Sequence, residues 1–173
     1  MKFAKAFLIV ASFLVVAFAA LVGRSIWATR PDPGEFDRYA AKRIRKLCGR
    51  RTDCQVRLRD LTSLDWDELY EWNGGYSDSE VSQAIGLRFS RTVEFGRVVV
   101  LMKAGRVVFL GEGDEGIENS IAGAVFLRCK SYSDNLTMCR PDALMQVNSF
   151  EADGDPARGI AWSGTSYVLR QIS

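Results

Sequence analysis

The 173-residue chain contains no histidine. That absence removes the commonest general base and the commonest metal ligand together, and excludes hydrolytic triads of the usual kind. Cysteine is scarce, at Cys48, Cys54, Cys129 and Cys139 only; if these pair, no thiol nucleophile is left. Lysine is sparse too. Lys2 and Lys5 lie in the N-terminal segment, and Lys42, Lys46, Lys103 and Lys130 fall in surface or turn contexts, a poor setting for a serine-lysine pair. From Leu64 to Gly86, "LDWDELYEWNGGYSDSEVSQAIG", there is no basic side chain at all. Internal repeats and low-complexity tracts are also missing, and no cofactor is implied.

What is present describes a folded chain: 47% hydrophobic and 25% charged residues suffice for one domain with a real core. Lys2 and Lys5 precede an uncharged run from Ala6 to Gly23, which reads as a secretory signal or as a single membrane-spanning anchor. Ala17-Phe18-Ala19 fits a small-x-small cleavage site, whereas the apolar run continues through Leu21 and Val22; both readings remain open. No cysteine ends the run, so lipid modification is not supported.

The four cysteines form two sequence-local pairs, and Cys48–Cys54 with Cys129–Cys139 is the preferred disulfide pairing of the three possible. Their spacing does not match paired zinc knuckles; reduced thiols packed in a core are the other reading. With the leader, the disulfides imply an oxidising compartment such as a bacterial periplasm. The expected location is the bacterial inner membrane, single-pass, with the domain in the periplasm, or the periplasm itself if the leader is cut. Cleavage would remove Lys2 and Lys5, leaving 21 basic residues against 21 acidic ones. The charges are segregated nonetheless. Nine basic residues and only Asp53 lie between Arg38 and Arg59, and seven acidic and no basic residues between Asp60 and Glu80. A basic block beside a membrane suits anionic headgroups or an acidic partner. The neutral total and the exported topology argue against nucleic acid.

Residues 1–27 are thus expected to form the leader or anchor, 28–34 a linker, and 35–173 a periplasmic α+β domain. Asp32 is placed to cap a first helix, with Pro33 in its first turn and Glu35 completing a box-like pair. Phe36, Ala40, Ile44 and Leu47 recur on one face of that helix, which reads as core-facing with a solvated basic side. A strand at Cys54–Leu58 and a second at Leu64–Trp72 follow, the latter alternating aromatic side chains with Asp65, Asp67, Leu69 and Glu71. Ser77 and Glu80 make a capping box for a short helix that Gly86 terminates. Two β-branched runs joined at Lys103-Ala104-Gly105-Arg106 predict a hairpin. Further strands are predicted at Ile121–Cys129, Leu144–Phe150 and Tyr167–Ile172. The fold class is a single α+β domain, two short helices on an antiparallel sheet.

Asp65, Asp67, Glu68 and Glu71 beside aromatic residues resemble the acids of a glycan-cleaving site, although a strand puts Asp65 and Asp67 on one face and Glu68 on the other. Gly111 to Gly116 matches G-x-G-x-x-G, but three carboxylates in the loop would repel a pyrophosphate, and no βαβ unit surrounds it. Asp153-Gly154-Asp155 lacks the ligand spacing of a calcium loop, and Asn135-Leu136-Thr137 is a glycosylation sequon that matters only in a eukaryotic secretory pathway.

The stretch containing Trp66, Asp67, Tyr70, Tyr76, Ser77, Ile85 and Gly86 resembles a segment of small bacterial envelope proteins, many of them lipoproteins. In that family an extended W-D-x-x-Y is followed by a turn, then Y-[ST] opening a helix that ends in [LI]-G. The hairpin from Val98 to Leu110 looks like the strand pair that follows, so the resemblance spans about residues 60–112. This chain departs from it by lacking the lipid-attachment cysteine and by carrying Asn73-Gly74-Gly75 where the family has a proline before the tyrosine. The resemblance implies a non-catalytic periplasmic domain and brings no active site. A fainter likeness, to envelope assembly factors, rests on element order. From the residues themselves, Trp66 and Tyr70 are expected in the core, and Asp65, Asp67, Glu68, Glu71, Tyr76 and Asp78 on a partner-binding acidic face. The expected function is a non-catalytic, membrane-associated periplasmic binding protein, in one version an immunity-type inhibitor of a periplasm-delivered toxin. The alternatives are an envelope assembly or structural factor, or an enzyme acting on cell-wall glycan.

Overall fold

The structure, a computed structural model, describes residues 15–16, 32–49, 51, 53–90, 96–114, 121–133, 136–152 and 164–172. The chain divides into two units, Met1–Pro31 and Asp32–Ser173. In the first, Val15 and Val16 are helical and exposed. The rest of the apolar run, Asn135 of the sequon and the 153–155 triplet lie outside the described residues. No helix among those described is long and apolar enough to cross a membrane.

The second unit is an α+β domain. Helix α1 (Glu35–Cys48) leads to β1 (Gln55–Arg57), a single 3-10 turn (Leu58–Leu61), β2 (Glu68–Asn73) and helix α2 (Asp78–Ile85). Then come β3 (Gly96–Lys103), β4 (Arg106–Asp114), β5 (Val125–Arg128), β6 (Lys130–Ser133), β7 (Leu136–Cys139), β8 (Leu144–Ala152) and β9 (Gly164–Gln171). The strands divide between two sheets, ordered β1-β8-β9-β5 and β4-β3-β2-β7-β6. Every pairing is antiparallel except β5 with β9.

Two sheets arise because β2 and β3 have apolar residues on both faces. Leu69, Val99 and Leu101 point into the main core, shared with α1, β5, β8 and β9. Trp72, Val98, Val100 and Met102 point the other way, where Val81 and Ile85 of α2 cover them. A strand that is apolar throughout needs cover on both sides, and a single half-exposed sheet would leave one side wet. Trp66 is buried as expected, and Tyr70 is half-buried, its ring stacked on Trp72 at 5.8 Å between centroids.

Both helices form where their sequences favour them, with one displaced start. Ser77 and Glu80 close the capping box of α2, Ser77 N–H donating to Glu80 Oε2 at 2.6 Å, and Gly86 ends the helix in the left-handed region. Helix α1 starts at Glu35 with Gly34, not Asp32, in the cap position. Asp32 instead accepts from the Gly34 N–H at 2.8 Å, while its own carbonyl accepts from the Asp114 N–H of β4 at 2.8 Å. The buried stripe of α1 is Phe36, Asp37, Ala40, Ala41, Ile44 and Cys48; Leu47, expected on that face, is exposed. Of the Gly111–Gly116 motif that imitated a phosphate cradle, Gly111 to Asp114 lie in β4 and residues 115–116 fall outside the described residues. A Cβ on Gly113 would sit 2.8 Å from the Pro33 carbonyl oxygen, so the glycine lets the entering chain lie against β4.

Both expected disulfides are present, Cys48–Cys54 and Cys129–Cys139. The first ties the end of α1 to the start of β1. The second closes the point where the chain leaves β5 in one sheet for β6 in the other.

A buried charge cluster joins these layers. Arg97, the second residue of β3, is 3% exposed and faces the main core. Its guanidinium donates to both oxygens of Asp37 on α1, to Glu71 Oε1 of β2 at 2.5 Å and to the Val125 carbonyl of β5 at 2.6 Å. The Val125 N–H donates to Asp37 Oδ2 at 3.1 Å, and the Leu127 N–H to Glu71 Oε2 at 3.3 Å. The Phe126 ring completes the shell, its centroid 5.4 Å from the guanidinium carbon. Two carboxylates therefore share one arginine out of water. Burial pushes Asp37 up from 3.8 to about 6, outweighing the pull of Arg97, and pushes Glu71 up for the same reason. Burial works against the Arg97 charge as well, but the two carboxylates prevail and hold it protonated.

Removing the arginine strands two buried carboxylates, so Arg97→Ala should cost about 3–5 kcal/mol in urea unfolding, whereas truncation of an exposed arginine such as Arg59 should cost little. The raised Asp37 makes the folded state hold a proton that the unfolded chain has lost. Its contribution to stability is therefore complete below pH 3.8 and disappears as pH rises through about 6. Unfolding free energies measured across that window should fall with pH from this group, and Asp37→Asn should flatten the slope.

Candidate binding cleft

The acidic stretch reaches the surface where β2 begins. The Asp67 N–H donates to the Met102 carbonyl at 2.7 Å, which sets its side chain beside the β3–β4 turn. That turn has two residues, Ala104 at φ 48° and Gly105 at φ 74°, the paired positive angles of a hairpin turn matched to strand twist. Asp67 holds it from outside: Oδ2 accepts from the Ala104 N–H at 2.9 Å, and Oδ1 from Lys103 Nζ at 2.9 Å. The same ammonium donates to Asp65 Oδ1 at 3.1 Å. Glu68 meets Arg140 Nη1 at 3.0 Å and accepts from the Tyr70 hydroxyl at 2.9 Å.

These groups edge an open cleft of about 550 Å³, lined by Asp67 just before β2 and Glu68 at its start, Ala104 and Gly105 of the turn, and Arg140 to Asp142 between β7 and β8. The hydrogen bond from Lys103, reinforced by the Ala104 amide, holds Asp67 below the usual carboxylate range; bonds from Asp67 and Asp65 raise Lys103. Both stay charged at neutral pH, so neither is a proton carrier there. The cleft presents fixed charges of both signs, suited to hydrogen bonding a polar or charged surface. Among the described residues, no group of three acidic or cysteine side chains is arranged to hold a metal ion.

Of the six residues expected on one acidic face, three come together: Asp65, Asp67 and Glu68. Glu71 does not join them. It is 4% exposed because its parity in β2 turns it inward to Arg97. Tyr76 is buried too, in the smaller core under α2. Asp78 is half-buried in the first turn of α2, which follows the opposite end of β2. Sequence reasoning missed Lys103, Arg140 and Asp142, which arrive from distant segments and neutralise or extend the patch. Lys103 had a signal, its place at a hairpin turn, whereas Arg140 needed the β2–β7 pairing to be known.

A second hollow, of about 290 Å³, is apolar. It opens between Phe36 and Tyr39 of α1, Thr62–Leu64, and Val108 and Phe109 of β4. Compared with known protein families, with curated proteins and with solved structures, the chain matches none.

Ala104 is the one non-glycine residue at positive φ among those described. Replacing it with glycine should relieve that strain and raise stability by up to about 1 kcal/mol in thermal or urea unfolding, and Asp67→Ala, which strips the turn of its outer support, should lower the melting temperature.

Proposed function

We propose that this chain is a membrane-associated binding protein of the bacterial envelope, whose domain lies in the periplasm and occupies a protein partner through the Asp67–Glu68–Asp142 cleft. The observation that carries the reading is the cleft itself. Asp67 is held by Lys103 and a main-chain amide and Glu68 by Arg140, and all of them edge the cleft or line it. Such pre-set groups select a partner by charge pattern at little ordering cost. The two disulfides support an oxidising compartment, and the Ala6–Gly23 run supports delivery to a membrane.

An immunity-type inhibitor of a periplasm-delivered toxin is the version that best fits a small domain with paired acidic and basic surface groups. Its partner would offer basic side chains to Asp65, Glu68 and Asp142. An assembly or structural role in the envelope would use the same cleft on a resident protein.

The test is capture of the tagged full-length chain from its detergent-extracted host, beside an Asp65→Lys, Asp142→Lys variant. Both positions are exposed, so melting should be unchanged while a near-stoichiometric partner is lost. A partner retained by the variant would rule out the cleft. Resident envelope machinery in place of a toxin-like protein would favour the assembly role.

A further inference from the structure

The basic block singled out by the sequence has no part in the cleft. Its helix is not a lipid-inserting one, because the apolar stripe of α1 is spent on the main core. What remains outside is charge. Lys42, Arg45 and Lys46 on α1, Arg51 in the disulfide loop, Arg57 on β1 and Arg59 on the 3-10 turn are all exposed. None of the six forms an ion pair with another described residue.

The fold joins the elements that carry them at one corner of the domain. The Cys48–Cys54 bond brings the end of α1 within 5.4 Å of β1, Cα to Cα. Arg43 Nε donates to the Asp60 carbonyl at 3.0 Å and pins the middle of the helix beside the 3-10 turn. Two exposed leucines flank the charges: Leu47 at the helix end, and Leu144, which sits opposite Arg57 in the β1–β8 register.

We propose that this corner is a docking surface for an anionic phospholipid bilayer. Long cationic side chains drawn from three elements, and lining neither hollow described above, suit a diffuse field of headgroups rather than a shaped partner. The flanking leucines add a shallow apolar contact. In sequence only eight residues, Arg24 to Pro31, separate the apolar run from the domain, so a bilayer that holds that run lies within the chain's reach of it. For that proximity alone the inference rests on the proposed membrane association; its side chains do not line the cleft, which the corner meets where the Arg59 N–H donates to the Pro141 carbonyl at 2.9 Å.

The experiment uses the full-length chain in phosphatidylcholine nanodiscs, with and without phosphatidylglycerol. Surface amines are labelled and read by peptide mass spectrometry. With phosphatidylglycerol, labelling of Lys42 and Lys46 should drop several-fold and recover at high salt, while Lys103 stays constant. In the phosphatidylglycerol discs, each of Arg45→Glu, Arg57→Glu and Arg59→Glu should reduce the protection of Lys42 and Lys46 by about twofold or more without changing the melting temperature. Equal labelling in both discs would overturn the proposal. So would protection by soluble polyglutamate but not by phosphatidylglycerol, which would assign the corner to an acidic protein. Failure of the chain to enter phosphatidylcholine discs would count against the anchor, and flotation with phosphatidylglycerol vesicles would then decide the corner alone, with no flotation overturning it.

Discussion

One guanidinium almost wholly shut off from water has to be satisfied by the protein, and its partners come from helix α1 and from both sheets. Arg97 draws Asp37 from α1, Glu71 from β2 and the Val125 carbonyl from the other sheet. Amides of β5 then satisfy the two carboxylates. Leaving any member of such a cluster unpaired is far more expensive than a lost surface contact, so the cluster restricts how the helix and the sheets can be placed. Apolar packing in the main core supplies the bulk of the stabilisation, but it is non-directional. The cluster supplies direction.

The cleft inherits that placement. Glu71 and Glu68 lie on the same six-residue strand, and β2 is paired on both sides, with β3 and with β7. Fixing Glu71 inward fixes the register that sends Leu69 into the core and leaves Glu68 at the rim. The same β3 strand that carries Arg97 near its start carries Lys103 at its end, beside Asp67. The cleft is therefore built where paired strands end, from the start of β2, the β3–β4 turn and the short β7–β8 connection, each anchored by a neighbouring strand.

Charge that is segregated along the chain is partly mixed in space. The acidic stretch obtains Arg97, Lys103 and Arg140 from segments far away in sequence. The basic block obtains no such partners among the described residues beyond the Asp32–Arg38 pair at its edge. The domain is thus polar in a directional sense, with a compensated cleft formed by β2 and the hairpin turn and an uncompensated basic corner formed by α1 and β1. Two surfaces of different electrostatic character follow from that asymmetry.

Local chemistry was readable from the residues. The Ser77–Glu80 box, the Gly86 stop, the Lys103–Arg106 hairpin and both short-loop disulfides depend on neighbours a few positions apart, and each stands as expected. The α+β class was readable for the same reason. The division into two sheets, the β6–β7 hairpin and the true inward stripe of α1 were not, because they depend on what covers each face. Asp37 carried no signal of its own in the sequence, and Glu71 read as one carboxylate among several on an acidic face. Only the meeting of α1, β2, β3 and β5 turns them into ligands of Arg97, since a buried charge is recognised by its partners and those lie 26 and 60 residues away in sequence.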